Sequence, residues 1–208
     1  MKILVLGTRG IGLQVIKQGL SLGHQVCALS RRPGALLIAD DNFTLVAGDA
    51  ENAPDIEKAS HGMDVIVSAI GAPPSKKEIS IFSVSAGHII SAVKKNSVKL
   101  FIMVSGIGAG DSRGHGGFIY EKLIFPSLLS GIYADKNRAE SLVFQSDINW
   151  IIVRPGFLTD GKLTEKYRIL TELAGVKCGK ISRADAAHFI LTQAASRTYV
   201  KQTPLITY

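Results

Sequence analysis

The densest chemical signal in the chain is the hexad Gly7-Thr8-Arg9-Gly10-Ile11-Gly12, directly after a short apolar run from Ile3 to Leu6. A side chain at such a turn would hold a diphosphate away by Cβ contact. Glycine lets the backbone approach, and free N–H groups at the start of a following helix then face the anion. Tight strand-to-helix turns also use glycine for their own sake, so the position at the first junction carries the reading. A second group follows at Ser30-Arg31-Arg32. Sites that select an unphosphorylated ribose place a carboxylate here for the 2′-hydroxyl. Two guanidinium groups suit a 2′-phosphate instead, with Arg9 as a third contact; the alternative is a solvated arginine face. Asp49, in Gly48-Asp49-Ala50, is placed to accept from an adenine amino group, or to cap a helix near Glu51 and Asn52. Ala69-Ile70-Gly71 closes a later apolar run with small residues. They leave room for ribose and diphosphate, and they suit plain packing equally.

These groups need a scaffold that brings them to one edge. Apolar runs of strand length recur at 3–6, 25–29, 43–47, 64–70, 100–104 and 150–153. Nearly continuous apolar strands are what a parallel sheet covered on both faces requires. Between them, Ile11, Val15, Ile16 and Leu20 form a helical stripe within 10–23 that ends at Gly23. Further helical segments fall at about 52–60, 78–96, 134–146 and 183–196. Residues 165–181 fit neither period, and Pro204 to Thr207 reads as a short edge strand. The alternation predicts α/β architecture: a single Rossmann-type, doubly wound domain over 1–208, mainly parallel, with helices on both faces. The part from about 155 onward is expected to complete the substrate side.

With 208 residues, 46% hydrophobic and 20% charged, the chain suffices for one continuous core. No apolar run reaches the ~20 residues of a membrane helix. No small-residue cleavage site follows the opening apolar stretch, so a secretory signal is not expected. The net charge of +7 is scattered, in doublets such as Lys76-Lys77 and Lys94-Lys95, without the aromatic–basic alternation of single-strand binders. Cys27 and Cys178 have no metal-ligand spacing and fit a reducing compartment. None of the histidines joins a triad or a metal set, and His115 is the one that merits a test. It lies in 105–117, a stretch holding Gly106, Gly108, Gly110, Gly114, Gly116 and Gly117. That stretch is expected to be flexible, either a lid over the reacting end or a floppy connection.

Taken together, the chain resembles the atypical short-chain dehydrogenase/reductases, NAD(P)H-binding proteins that include flavin reductase/biliverdin-IXβ reductase and the NmrA-like regulators. The resemblance rests on the glycine turn, the arginine doublet, Gly48-Asp49 and Ser68-Ala69-Ile70-Gly71. It continues through Val104-Ser105-Gly106-Ile107-Gly108-Ala109-Gly110, through Asn149 to Gly156 with its Arg154-Pro155-Gly156 end, and through Ile181 to Ala187. It implies cofactor contacts at Gly7, Thr8, Arg9, Gly10, Ile11, Gly12, Ser30, Arg31, Arg32, Asp49, Ala50, Ala69, Ile70, Gly71 and Pro155. Ser105, at the end of the fifth strand, becomes the residue to hydrogen-bond an acceptor near the nicotinamide, or else a turn cap. Two departures stand out. Only Ile11 separates Gly10 from Gly12, where the family usually has two residues. The family's Tyr-x-x-x-Lys pair, whose lysine lowers the tyrosine pKa for proton transfer, is here Tyr133-Ala134-Asp135-Lys136, one residue short. Residues at i,i+3 share a helix face, so the pair could still work. Lys136 also stands i,i+4 to Glu140, and a surface ion pair between them is the plainer reading.

The function so implied is reduction. NADPH, in preference to NADH, passes hydride to a flavin (FMN or FAD as substrate rather than bound group), a quinone or a similar small planar acceptor. Phe118, Tyr120, Phe125 and Phe157 are available to stack on it, or to fill the core. Two alternatives stay open: an NADPH-binding redox sensor that regulates a protein partner without turnover, and a Tyr–Lys reductase or epimerase acting on a carbonyl or nucleotide-sugar. A cytoplasmic monomer or homodimer is expected, with no metal, nucleic-acid or membrane partner.

Overall fold

The computed structural model describes residues 1–208, leaving aside the side chain of Ala35. Its first half runs β1 (Lys2–Leu6), α1 (Ile11–Ser21), β2 (Gln25–Ser30), β3 (Phe43–Ala47), α2 (Ala53–Ala59), β4 (Val65–Ser68), α3 (Ile81–Lys95) and β5 (Leu100–Val104). Then follow α4 (Ser130–Phe144), β6 (Trp150–Pro155), β7 (Phe157–Thr159), β8 (Arg168–Leu170), β9 (Lys180–Ser182), α5 (Arg183–Ser196) and β10 (Leu205–Thr207). An 8-stranded sheet has the order β3-β2-β1-β4-β5-β6-β10-β8, and β7 pairs with β9 beside it. The strands from β3 to β10 are mutually parallel, and β8 is antiparallel to β10.

The middle of each central strand is apolar because it serves two cores. Leu4, Leu6, Ile66, Phe101, Met103 and Ile152 face one layer with Ile89 of α3 and Val143 of α4. Ile3, Val5, Val67, Ile102 and Val153 face the other, with Val15 of α1 and Ile190 of α5. Strand side chains alternate by two, so a one-residue slip would exchange the layers and leave neither packed. The strand order 3-2-1-4-5-6 reverses direction between β1 and β4, the switch point at whose carboxyl ends open α/β sheets bind ligands.

Local signals set the element ends. After α1, Gly23 has φ 74°, its N–H donates to Leu20 O, and His24 N–H donates to Gly19 O, closing the helix as a left-handed cap. Asn52, not Asp49, caps α2 by accepting from Asp55 N. Ser182 caps α5, accepting from Asp185 N at 2.9 Å. The cap of α3 comes from another helix: Asp135 of α4, wholly buried, accepts from Phe82 N at 2.8 Å and Ser83 N at 3.4 Å.

Three expectations change. The ambiguous 165–181 contributes β8 and β9, each of three residues and too short to show a period. Leu205–Thr207 is not an edge strand, because β8 pairs outside it, and its side chains are buried. Tyr120–Leu129 forms a π-helical segment leading into α4, which begins at Ser130. Its i→i+5 repeat does not register as either regular period. Among the described residues, no helix is long and apolar enough to cross a membrane.

Candidate functional site

The glycine turn joins β1 to α1 at the carboxyl edge. Gly7 has φ 95°, and a Cβ there would overlap the Ala69 carbonyl. A Cβ on Gly12 would overlap the Gly7 carbonyl oxygen, so the shortened spacing gives Gly12 the task of close helix–strand packing. Gly10 is the N-cap of α1 and offers no side-chain acceptor, and the first turn holds no acidic residue. Among the described residues nothing accepts from the N–H of Ile11 or Gly12. Unused donors, a positive helix end and a floor stripped of Cβ atoms fit a diphosphate. Thr8 is half-buried and Arg9 exposed beside them.

The other predicted cofactor residues line the same edge. Ser30 ends β2, and its hydroxyl accepts from Arg32 N at 3.2 Å. Arg31 and Arg32 are exposed, and among the described residues neither joins an ion pair. Asp49 turns one oxygen onto Glu51 N at 3.0 Å, and Ala50 packs on the core. Ala69 and Ile70 are half-buried beside β1, and Gly71 is exposed. Pro155 is buried at the end of β6, and its carbonyl accepts from Ile107 N at 3.1 Å, tying down the loop after β5.

The structure brings Ser105, Tyr133 and Lys136 together at the end of β5. A Cβ on Gly106 would lie 3.0 Å from Tyr133 Oη and 3.4 Å from Lys136 Nζ. Lys136 Nζ donates to the Ser105 carbonyl at 2.6 Å. Ser105 is 5% exposed, and its Oγ has no hydrogen-bond partner. Among the described residues Trp150 Nε1 is the other such atom, and Trp150 begins β6 at the opposite end of the sheet. An orphaned buried hydroxyl costs free energy unless something pairs with it. Tyr133 Oη lies 3.1 Å from Tyr120 Oη, which also reaches the Ile107 carbonyl at 3.0 Å. A phenol donates one proton and also accepts, so Tyr120 can donate to the Ile107 carbonyl while accepting from Tyr133.

The electrostatics separate Tyr133 from Lys136. Burial, with Tyr120 beside it, holds the Tyr133 phenol well above its ordinary pKa. Burial also pulls Lys136 down to about 8, against the pull of Glu140 the other way. The ammonium stands over the Tyr133 ring, 5.1 Å from its centroid, rather than on its hydroxyl. Tyr133 is therefore a neutral donor, not a phenolate base.

The expected Lys136–Glu140 surface pair is not formed. Glu140 is 1% exposed and holds Arg154 of β6, with Oε2–Nη2 at 2.6 Å and Oε1–Nε at 3.3 Å. Asp111 takes the remaining Arg154 nitrogen. Helix spacing identifies which side chains can meet along one helix; burial decides that Glu140 turns inward to the guanidinium instead. His115 is likewise pinned, its Nδ1 2.7 Å from Val176 O. Tyr120, Phe125 and Phe157 pack in a cluster over the same end, with Tyr120 and Phe157 centroids 5.1 Å apart, whereas Phe118 is exposed. Among the described residues no group of three or more potential ligands could hold a metal. Arg183, read from the sequence only as part of the Ile181 to Ala187 segment, opens α5, and its side chain lies against Gly10.

A parallel sheet in this order, whose first turn presents unsatisfied helix donors, defines a dinucleotide-binding Rossmann domain. A profile of the NAD(P)H-binding family matches residues 7–197, and the chain belongs to that family. Among curated proteins it is similar to the chloroplastic protein TIC 62 of Arabidopsis thaliana, 27% identical in an alignment of 184 positions that covers 74% of this chain. The chain spans only 27% of that relative's length. Among solved structures it is similar to ChuY of Escherichia coli, described as an anaerobillin reductase (22% identity, TM-score 0.81, covering 100% of this chain and 97% of that one). It is also similar to a short-chain dehydrogenase/reductase of Veillonella parvula in complex with NADP (18% identity, TM-score 0.82, covering 100% and 94%). At these identities the structural likeness speaks for the fold.

Proposed function

We propose that this protein is an NADPH-dependent oxidoreductase that passes hydride to a flavin, quinone or similar planar acceptor, in the manner of flavin reductase-like members rather than NmrA-like regulators. The observation that carries the reading is the orphaned Ser105 hydroxyl, buried beside Tyr133 and Lys136 where the nicotinamide end of a dinucleotide lies in this fold. The bound cofactor supplies the hydride; the chain supplies orientation and exclusion of water. Ile11 N–H and Gly12 N–H hold the diphosphate, and Arg31 and Arg32, in no ion pair among the described residues, favour a 2′-phosphate over a bare ribose. Ser105 donates to a polar atom of the acceptor or nicotinamide, Lys136 fixes the Ser105 backbone, and half-buried Phe157 offers a ring to a flat acceptor, backed by Tyr120 and Phe125 in the core.

Lys136 stands over the Tyr133 ring and bonds the Ser105 carbonyl, which, with the raised Tyr133 pKa, counts against the lysine-assisted proton transfer of a Tyr–Lys reductase or epimerase. A sensor that binds NADPH without turnover is supported by the engagement of Tyr133 with Tyr120. Both cysteines are free and buried, in keeping with a cytoplasmic protein. The test is NADPH oxidation with FMN or a soluble quinone against a protein-free control, repeated with Tyr133→Phe. Turnover that survives the substitution supports the reading. Turnover that collapses points to Tyr133 as proton donor, and binding without turnover to the sensor.

A further inference from the structure

Besides Arg9 within the glycine turn, a second arginine side chain reaches it from the other end of the chain. A Cβ on Gly10 would lie 3.4 Å from Arg183 Nε and 3.6 Å from its Cδ, so this arm rests on the N-cap of α1. The helix start that carries it is anchored. Arg183 opens α5, Ser182 caps that helix, and Gln18 of α1 donates to Ala184 O at 3.0 Å. Arg183 Nη1 meets Asp160 at 2.6 Å, and the two side chains are 30% and 91% exposed.

We propose that Arg183 is a ligand of the cofactor diphosphate and that Asp160 occupies it until a dinucleotide binds, so that exchange of one anion for another sets dinucleotide affinity. The inference rests on the NAD(P)H reading above and extends it to a residue and a competing group. Three physical points carry it. The α1 turn already offers two unused N–H donors and no carboxylate, so anion chemistry there is incomplete without a countercharge. An ion pair with so exposed a partner is weak, which makes Asp160 an exchangeable occupant rather than a structural anchor. A diphosphate oriented by the helix donors offers Arg183 a bidentate, charge-assisted contact in place of a single exposed carboxylate. Arg183 thus serves the diphosphate, whereas Arg31 and Arg32, at the end of β2, serve the 2′-phosphate.

The experiment measures affinity by titration calorimetry at low salt, independent of any acceptor. The probes are NADPH and ADP-ribose, which keeps the diphosphate but lacks nicotinamide and 2′-phosphate. Arg183→Gln is expected to weaken both by about tenfold to a hundredfold. Asp160→Asn is expected to tighten both by up to about fivefold. The double variant should match Arg183→Gln alone, since Asp160 matters only through Arg183. If Arg183→Gln lowers the melting temperature, the Asp160→Asn result decides by itself. Wild-type binding of ADP-ribose that neither variant alters would overturn the role of Arg183 while leaving the cofactor reading intact. A wild-type protein that binds neither probe would overturn both.

Discussion

Replacing Glu140 with alanine removes the carboxylate that grips Arg154 through two nitrogens, and leaves the guanidinium buried beneath β6. Arg154 is 1% exposed and the Glu140 side chain 2%, so neither charge has water to fall back on. Burial works against the Arg154 charge, and Glu140 and Asp111 outweigh it, holding its pKa above the ordinary value. Breaking such a pair from one side costs about 3–5 kcal/mol, because the survivor is an uncompensated buried charge. Asp111 remains, but at 74% exposure it is screened, so the expected loss is about 3 kcal/mol. For a domain of this size that lowers the melting temperature by about 6–12 °C. Glu140→Leu with Arg154→Met, which removes both charges and keeps apolar volume, should return to within about 1 kcal/mol of wild type. Urea unfolding followed by fluorescence of the single tryptophan, Trp150 at the start of β6, reads the effect directly. A loss below about 1 kcal/mol in Glu140→Ala, or a double variant no better than the single, would refute the reasoning.

Gly12→Ala drives a Cβ into the Gly7 carbonyl, so it should cost about 1–3 kcal/mol and weaken NADPH binding; an unchanged melting temperature and affinity would show that the turn relaxes freely. Arg31→Ala with Arg32→Ala should weaken NADPH at least tenfold more than NADH, and equal losses measured by calorimetry would end the 2′-phosphate reading. Lys136 has a folded pKa of about 8 against an ordinary 10.5, so between these values the unfolded chain binds more protons. Stability should therefore rise with pH across that window, and Lys136→Met should flatten the rise in urea midpoints; parallel curves would place the ammonium in water.

Much of the scaffold is visible in the chain's own order. The six apolar runs became β1 to β6, because a strand covered on both faces is mostly apolar, with polar residues such as Lys2, Ser68 and Arg154 confined to its ends. Gly7 and Gly12 could be assigned to a backbone approach because their neighbours, β1 and α1, are adjacent in sequence. The site at the end of β5 was only half legible. Ser105 could be placed by strand order, but its orphaned hydroxyl could not, since that depends on what fails to surround it. Tyr120 was counted as a stacking ring, and its hydroxyl contact with Tyr133 emerges from a π-helical turn with no sequence period.

By itself the sequence determined what local chemistry determines: the six apolar strands, the helix cap at Gly23, and the anion-ready turn at Gly7 to Gly12. Tertiary structure alone decided the partners of charged side chains. Helical spacing offered Glu140 to Lys136, yet burial gave it to Arg154, 14 residues away on β6. Asp135, between the two residues proposed for proton transfer, caps α3 from another helix. Arg183 reached Gly10 only because α5 packs on α1. The physical reason is common to all three. Backbone conformation is set by neighbours in sequence, whereas a charge leaving water must pair with whatever the packed layers bring within reach.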